Sequence, residues 1–86
     1  MFLFFDADTI QQNSTKDEPT VLGAYINVKD IVYVEDQIKH VGGMQTRRTA
    51  IGTQKGTLYV NDKAHDIMEL IQQHGNEKVI MIPKEK

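Results

Sequence analysis

The fold class is decided by residues 57–75, which read Thr57-Leu-Tyr-Val-Asn-Asp-Lys-Ala-His-Asp-Ile-Met-Glu-Leu-Ile-Gln-Gln-His-Gly75. The first five residues alternate between polar and apolar side chains, which is typical of a strand with one face exposed to solvent. The period then changes, because apolar residues recur three and four positions apart from Ala64 to Ile71. We therefore predict a strand over residues 57–61 and an amphipathic helix over residues 63–74, which Gly75 ends.

The segments around this stretch are short and rich in apolar and β-branched residues. They predict further strands over residues 2–5, 21–26, 31–38 and 79–82. A polar strand that carries Arg47 and Arg48 is predicted over residues 46–53. Three connections are expected: a polar surface loop over residues 9–20, a tight turn over 27–30 that makes a hairpin of its two neighbouring strands, and a flexible link over 40–45. The prediction is a mainly β fold, a small and strongly bent barrel of five to six short strands plus one late helix, in a single domain over residues 1–86.

Length and composition exclude several classes of protein. A chain of 86 residues with no cysteine forms neither disulfides nor thiolate zinc sites. The apolar runs at residues 1–5 and 79–83 are far shorter than the ~20 residues of a membrane-spanning helix. The first run also lacks the preceding basic region of a signal peptide and meets Asp6 at once. We expect a cytoplasmic protein with no membrane contact.

Three predicted strand segments, over residues 2–5, 31–34 and 79–82, are apolar on both faces. One small core covers only one face of each strand, so the helix or a neighbouring subunit should cover the other. This pattern favours a homo-oligomer, although cover by the helix and the long loop remains the alternative. Met68 and Met81 are expected to fill the core.

Charge is segregated along the chain. Residues 37–61 contain four basic side chains and no acidic one, whereas the rest of the chain carries six basic and twelve acidic side chains. Cations displace counterions from phosphate, and the side chains of Tyr25, Tyr33 and Tyr59 offer stacking surfaces. The stretch is therefore a candidate nucleic-acid surface, unless acidic side chains from elsewhere pair with it in space.

The whole chain resembles a family of small Sm-like proteins of the cyanophage type, on two motifs. Val21-Leu-Gly-Ala-Tyr-Ile-Asn-Val-Lys-Asp30 lies at the place of the first Sm motif, and Ala50-Ile-Gly-Thr-Gln-Lys-Gly56 at the place of the second. The pair that is Arg-Gly in the family's second motif is Ile51-Gly52 here. Sm and LSm proteins are short bent barrels that assemble into rings and bind RNA through two turn regions.

The resemblance implies a homo-oligomeric ring that binds RNA or single-stranded DNA and catalyses no reaction. It implies that Asn27 and Lys29 lie on one side of a nucleotide pocket, and that Gly52, Gln54 and Lys55 lie on the other. With the basic stretch, the predicted nucleic-acid-binding residues are Asn27, Lys29, Lys39, His40, Arg47, Arg48, Gln54 and Lys55. We expect no cofactor, no metal ion and no catalytic residue. A phage-encoded chain of this kind would act in the cytoplasm of an infected host cell.

Other classes of protein compete with this interpretation. A scaffolding or protein-interaction oligomer that binds no nucleic acid is the main alternative. Residues 30–35 and 56–60, with the helix after them, are similar to half of a LytTR-type module that binds duplex DNA. Residues 2–10 are similar to the first motif of haloacid-dehalogenase phosphatases, with Asp6 and Asp8 as the two acids, but one helix cannot complete that magnesium site. His65 and Glu69 have the spacing of a metal-chelating pair, which a solvated helix face also explains.

Overall fold

Six strands and one helix follow one another in the computed structural model, which describes residues 1–11, 19–75 and 78–82. The elements are β1 (Phe2–Asp6), β2 (Gly23–Asn27), β3 (Ile31–Val41), β4 (Met44–Thr53), β5 (Gly56–Val60), α1 (Ala64–Gln73) and β6 (Val79–Met81). Short 3-10 turns lie at Ala7–Thr9 and Val28–Asp30. The predicted class, mainly β with one helix, is confirmed for the described residues. Within them, no helix has the length and apolar content that crossing a bilayer requires.

The strands form two three-stranded sheets. The first has the order β2-β1-β6, with β1 antiparallel to β2 and parallel to β6. The second has the order β3-β4-β5 and is antiparallel throughout. Closure into a barrel is not seen between the described strands. A short bridge between Ile10 and Val60 links the chain after β1 to the end of β5.

The predicted hairpin of residues 21–26 and 31–38 is wrong, because β2 and β3 belong to different sheets. β2 pairs with β1, which sets Ile26 opposite the fully buried Leu3. This pairing brings apolar residues of both strands into one core. The 3-10 turn between β2 and β3 carries the chain from one sheet to the other, and the Asn27 side chain caps it by accepting a hydrogen bond from the Lys29 N–H at 3.1 Å.

The predicted flexible link at residues 40–45 is instead a tight turn. β3 runs to Val41, β4 starts at Met44, and the two residues between them are Gly42 and Gly43, with φ of 57° and 79°. A type I′ turn requires positive φ at both of its central residues, and its twist matches that of the flanking strands. The consecutive glycines therefore make a long and regular β3–β4 hairpin.

One core lies between the two sheets and the helix. Its buried apolar residues are Leu3, Phe5, Ile10, Ile51, Val60, Ile67, Ile80 and Ile82. Ile10 lies within the predicted 9–20 loop, so the start of that segment is part of the core; residues 12–18 lie outside the described residues. The prediction that Met68 and Met81 fill the core is wrong, because they are 43% and 62% exposed.

The apolar face of β1 and β6 that points away from the core is open to solvent in the single chain, and so is the start of β3. Phe2, Val79 and Met81 lie on the outside of the first sheet, at 42%, 41% and 62% exposure. Val32, at the start of β3, is 67% exposed. Among the described residues, the helix does not cover these side chains, and the neighbouring subunit stays a prediction.

Candidate nucleic-acid interface

A groove of about 460 Å³ lies where the first sheet meets the turn between β4 and β5. Its walls are formed by Phe2, Tyr25, Ile26, Asn27, Asp30, Thr53 and Lys55. We call it the inter-sheet groove. A smaller hollow of about 260 Å³ shares Ile26, Thr53 and Lys55 with it and extends along β5. The groove therefore joins the two segments that resemble the two Sm motifs.

Two aromatic side chains form one wall of the inter-sheet groove. Phe2 and Tyr25 point away from the core because their neighbours Leu3 and Ile26 point into it. Tyr25 is 65% exposed, and its ring packs against the ring of Phe4 with centroids 4.7 Å apart. Phe4 thus holds the Tyr25 ring in place while leaving much of it open to solvent. Such a ring can stack on a nucleobase.

The opposite wall comes from the β4–β5 turn. The Thr53 hydroxyl donates to the Gly56 carbonyl at 2.8 Å and accepts from the Lys55 N–H at 3.2 Å. Gly56 has a φ of 145°, which favours glycine. These contacts order the turn that carries Lys55, so its ammonium group is attached to a defined rim of the groove. The groove also contains the carboxylate of Asp30, which can accept hydrogen bonds from a base.

The predicted binding residues fall into two groups. Asn27 and Lys55 line the inter-sheet groove, and the exposed Lys29 and Gln54 lie in the two turns next to it. The remaining four, Lys39, His40, Arg47 and Arg48, lie along the β3–β4 hairpin. Ile31 pairs with Thr53 at the groove end, whereas Lys39 pairs with Thr46. Lys39 lies eight residues beyond Ile31 along β3, which is about 26 Å at 3.3 Å per residue.

Arg47 and Arg48 lie on opposite faces of β4, because they are neighbours in a strand. Arg47 forms an ion pair of 3.3 Å with Asp36 on β3. Arg48 donates from Nε to the Gln37 carboxamide oxygen at 2.8 Å, and its guanidinium lies 3.8 Å from the centre of the Tyr59 ring. The basic stretch is thus divided between two faces, and both arginines already have partners within the chain.

Gly52 is not a wall of the groove, contrary to what the Sm resemblance implies. It lies in β4 opposite Tyr33, and it is buried beneath the Tyr33 ring. A side chain at this position would meet that ring. The close approach of an aromatic ring to the backbone therefore explains the glycine without a ligand.

Phe2 is one of the groove residues that the sequence did not single out for binding. The run of apolar residues from Phe2 to Phe5 predicts a strand but does not show which side chains remain exposed. Tyr25 is one of three tyrosines that offer stacking surfaces, and the structure distinguishes it because only Tyr25 among them lines the inter-sheet groove. Asp30 was not predicted either, although it follows Asn27 and Lys29 in the same motif.

The other candidate sites are simpler surface features. Asp6 ends β1 and caps the following 3-10 turn, accepting a hydrogen bond from the Asp8 N–H at 3.3 Å. His65, Asp66 and Glu69 lie on the exposed side of α1, with possible ligand atoms within 4.8 Å of one another. His65 Nδ1 is 3.7 Å from a carboxylate oxygen of each acidic residue. Exposed contacts of this length are typical of a solvated helix face.

Comparison of the chain with family models, with curated proteins and with solved structures finds no match. Its function is therefore inferred from the geometry and chemistry of the site itself.

Proposed function

We propose that the protein binds single-stranded RNA or DNA in the inter-sheet groove and catalyses no reaction. The observation that supports this most directly is the meeting of exposed aromatic rings, an amide and a lysine in one groove: Phe2 and Tyr25 with Asn27 and Lys55. Aromatic rings that stack on bases, next to a cation that meets phosphate, are the usual elements of single-strand binding. The resemblance to Sm proteins favours the same ligand, and RNA in particular.

A single groove with one lysine in its wall makes a weak site, because each phosphate contact adds only a modest amount to affinity. Several copies of the chain would repeat the groove along one strand and raise its overall affinity. A homo-oligomer is therefore part of the proposal, and the ring of the Sm resemblance is one form of it. The cytoplasm, of an infected host cell if the chain is phage-encoded, is the proposed location.

The proposed contacts differ in one respect from the eight binding residues that the sequence predicts. The hairpin residues Lys39, His40, Arg47 and Arg48 lie about 17 to 30 Å along the strands from the groove end, with Arg48 the nearest and His40 the farthest. They would meet a ligand only if a strand of several nucleotides continued past the groove. We therefore assign the primary contacts to Tyr25, Asn27 and Lys55, a phosphate contact beside them to Lys29, and a base or sugar contact to Gln54.

The main competing function is a scaffold that binds no nucleic acid. The internal pairing of Arg47 with Asp36 and of Arg48 with Gln37 favours it, since both arginines serve the chain's own structure. Duplex DNA binding of the LytTR type is a further alternative. A titration of labelled single-stranded RNA, single-stranded DNA and duplex DNA distinguishes the three, with fluorescence anisotropy as the readout.

Wild-type protein should bind a single-stranded probe at low salt and bind more weakly as salt rises. Tyr25→Leu keeps an apolar contact for Phe4 but removes the stacking ring, so affinity should fall by roughly 5- to 150-fold, the equivalent of ~1–3 kcal/mol per stacked base. Tyr25→Phe keeps the ring and should bind like wild type. Equal binding by the Leu and Phe variants would contradict the stacking role.

Lys55→Gln should weaken binding to every sequence and lower the slope of affinity against salt by about one. Lys63→Gln removes an exposed lysine outside the groove and is the matched control. If both variants lose the same affinity, the cations act as a diffuse charge and not as a site. No binding by a folded wild-type protein at low salt would reject the proposed function in favour of the scaffold.

A further inference from the structure

The strand β3 is an open sheet edge. It is 11 residues long and lies at the end of the order β3-β4-β5, with β4 on one side. On its other side, no backbone hydrogen bond reaches β3 from the residues that the structure describes. A long edge with unpaired N–H and C=O groups is a template for another strand.

The hairpin turn determines which groups face this edge. Val41 and Met44 flank the two-residue turn, so they form a hydrogen-bonded pair. Such pairs alternate along a ladder, and the odd-numbered residues from Tyr33 to Val41 therefore bond to β4, as far as the bulge between Ile31 and Tyr33. The even-numbered residues, including Val34, Asp36 and Ile38, direct their N–H and C=O groups to the open edge.

We propose that β3 pairs antiparallel with β3 of a second copy of this chain, about a two-fold axis at Gln37. This register sets Asp36 opposite Ile38 of the second copy, so the hydrogen-bonded pairs use the even-numbered residues that face the edge. The result is a continuous six-stranded sheet across two chains. This inference deepens the homo-oligomer part of the proposed function and rests on it, but it does not depend on nucleic-acid binding.

Charge and apolar surface are self-complementary in this register. Glu35 lies opposite Lys39 of the second copy, and the two-fold axis repeats this pair. Tyr33 and Val41, which are 44% and 56% exposed, also lie opposite each other at both ends. All these side chains have odd numbers, so they lie on one face, in the closely spaced pairs of the ladder.

Neighbouring registers lose this complementarity. The even-numbered residues must face one another, so the second strand can slide only by steps of two residues. A slide in one direction sets Asp36 opposite its own copy, which places like charges together. A slide in the other direction sets Glu35 opposite Val41 and Lys39 opposite Gln37, so neither charged side chain faces an opposite charge. The pairing of Glu35 with Lys39 thus selects the register centred on Gln37.

An apolar hollow next to β3 fits the same partner. It measures about 440 Å³ and is lined by residues of β3 and α1, among them Val32, Val34 and Met68. In the proposed register, Gly42 of the second copy comes level with Val32, where β3 has a bulge between Ile31 and Tyr33. The turn of one chain therefore comes to lie beside the hollow of the other, where it would cover part of the exposed apolar surface.

The test is the solution mass of the protein by light scattering or sedimentation over a concentration series. Wild type should show a species of twice the 9.8 kDa chain mass, or an even multiple of it. Glu35→Lys and Lys39→Glu each place like charges at both facing pairs, so each should weaken the dimer on the order of tenfold or more. The double variant restores opposite charges and should restore the dimer.

Mixing the two single variants gives the sharpest outcome. Each variant places like charges opposite each other when it pairs with its own copy. When the Glu35→Lys variant pairs with the Lys39→Glu variant, opposite charges meet at both facing pairs. A heterodimer should therefore form from two proteins that are monomeric or weakly paired alone. Glu69→Lys, an exposed charge reversal on α1, is the control and should leave the dimer unchanged.

A backbone variant tests the edge itself. Ile38→Pro removes an N–H that faces the open edge and not β4, which a strand edge tolerates. It should give a folded monomer by circular dichroism and mass. A monomeric wild type, an odd-numbered ring, or a dimer that persists in both single charge variants and in Ile38→Pro would overturn the proposal. A wild-type dimer that binds no nucleic acid would reject only the proposed ligand and would leave the pairing of β3 in place.

Discussion

Gly52 shows how one residue supports the second sheet. The Tyr33 ring lies over its backbone, at a position where any Cβ would meet ring carbons. Gly52→Ala should stabilise the folded state by about 0.5–1 kcal/mol, because alanine loses less conformational freedom than glycine when the strand folds. Displacing the ring costs about 1–3 kcal/mol, so we expect a net loss of stability. The measurement is the midpoint of urea unfolding.

Whether Gly52→Ala stabilises or destabilises the protein depends on the Tyr33 ring, so a Tyr33 variant is the control. In a Tyr33→Ala background the ring is gone, so Gly52→Ala should be neutral or stabilising. Gly75→Ala is the matched control in wild type, since its Cβ would lie 3.6 Å from the Ile71 carbonyl, an ordinary contact. An equal loss from Gly52→Ala with and without the Tyr33 ring would show that the ring is not the cause.

At the residue scale, some of the candidate site could be predicted and some could not. The sequence interpretation assigned Arg47 and Arg48 to one surface, although neighbours in a strand lie on opposite faces, as they do in β4. Their partners were not predictable, because the Asp36 and Gln37 contacts depend on how β3 aligns with β4. The resemblance predicted that Asn27 and Lys55 lie on the two sides of one pocket, and both line the inter-sheet groove. Their binding roles stay predictions.

The helix is the element with the clearest sequence signal and also with a specific error. Its apolar spacing predicted α1 within residues 63–74, and it spans Ala64–Gln73. The same spacing placed Met68 in the core beside Ile67, but the apolar stripe is wider than the surface that the sheets cover. Ile67 is fully buried, whereas Met68 is 43% exposed.

These two neighbours give a matched pair of variants. Ile67→Ala should destabilise the protein by about 2–5 kcal/mol, because it removes buried methyl groups and leaves a cavity. Met68→Ala should cost less than about 1 kcal/mol in a monomer, because its side chain is partly in water already. Thermal and urea unfolding measure both. Similar losses for the two variants would mean that a partner buries Met68.

Strand existence was predictable at the element scale, but strand pairing was not. The six described strands were all located, five from apolar, β-branched or alternating runs and β4 as a polar strand before the turn at residues 54–56. The pairing of β2 with β1 depends on which combination buries Leu3 and Ile26 together, and that is a property of the whole chain. The glycines at positions 42 and 43 did carry a local signal, because two consecutive glycines suit a tight hairpin turn.

At the scale of the whole molecule, the two surfaces proposed here are separate. The inter-sheet groove lies at the end of the second sheet near Thr53 and Lys55, whereas the open edge extends along β3. A second copy at β3 would therefore leave the aromatic wall of each groove accessible. Two grooves in one assembly could then bind one nucleic-acid strand, with the affinity gain expected of linked sites.

The most direct test of the central claim is a backbone-amide NMR titration of the wild-type protein with a short oligouridine and a short oligothymidine at low salt. We predict that the chemical shifts of Tyr25, Asn27 and Lys55 and their neighbours change first and most, and that those of the β3–β4 turn change little. No shift changes at all, or changes confined to residues 39–48, would contradict binding in the inter-sheet groove.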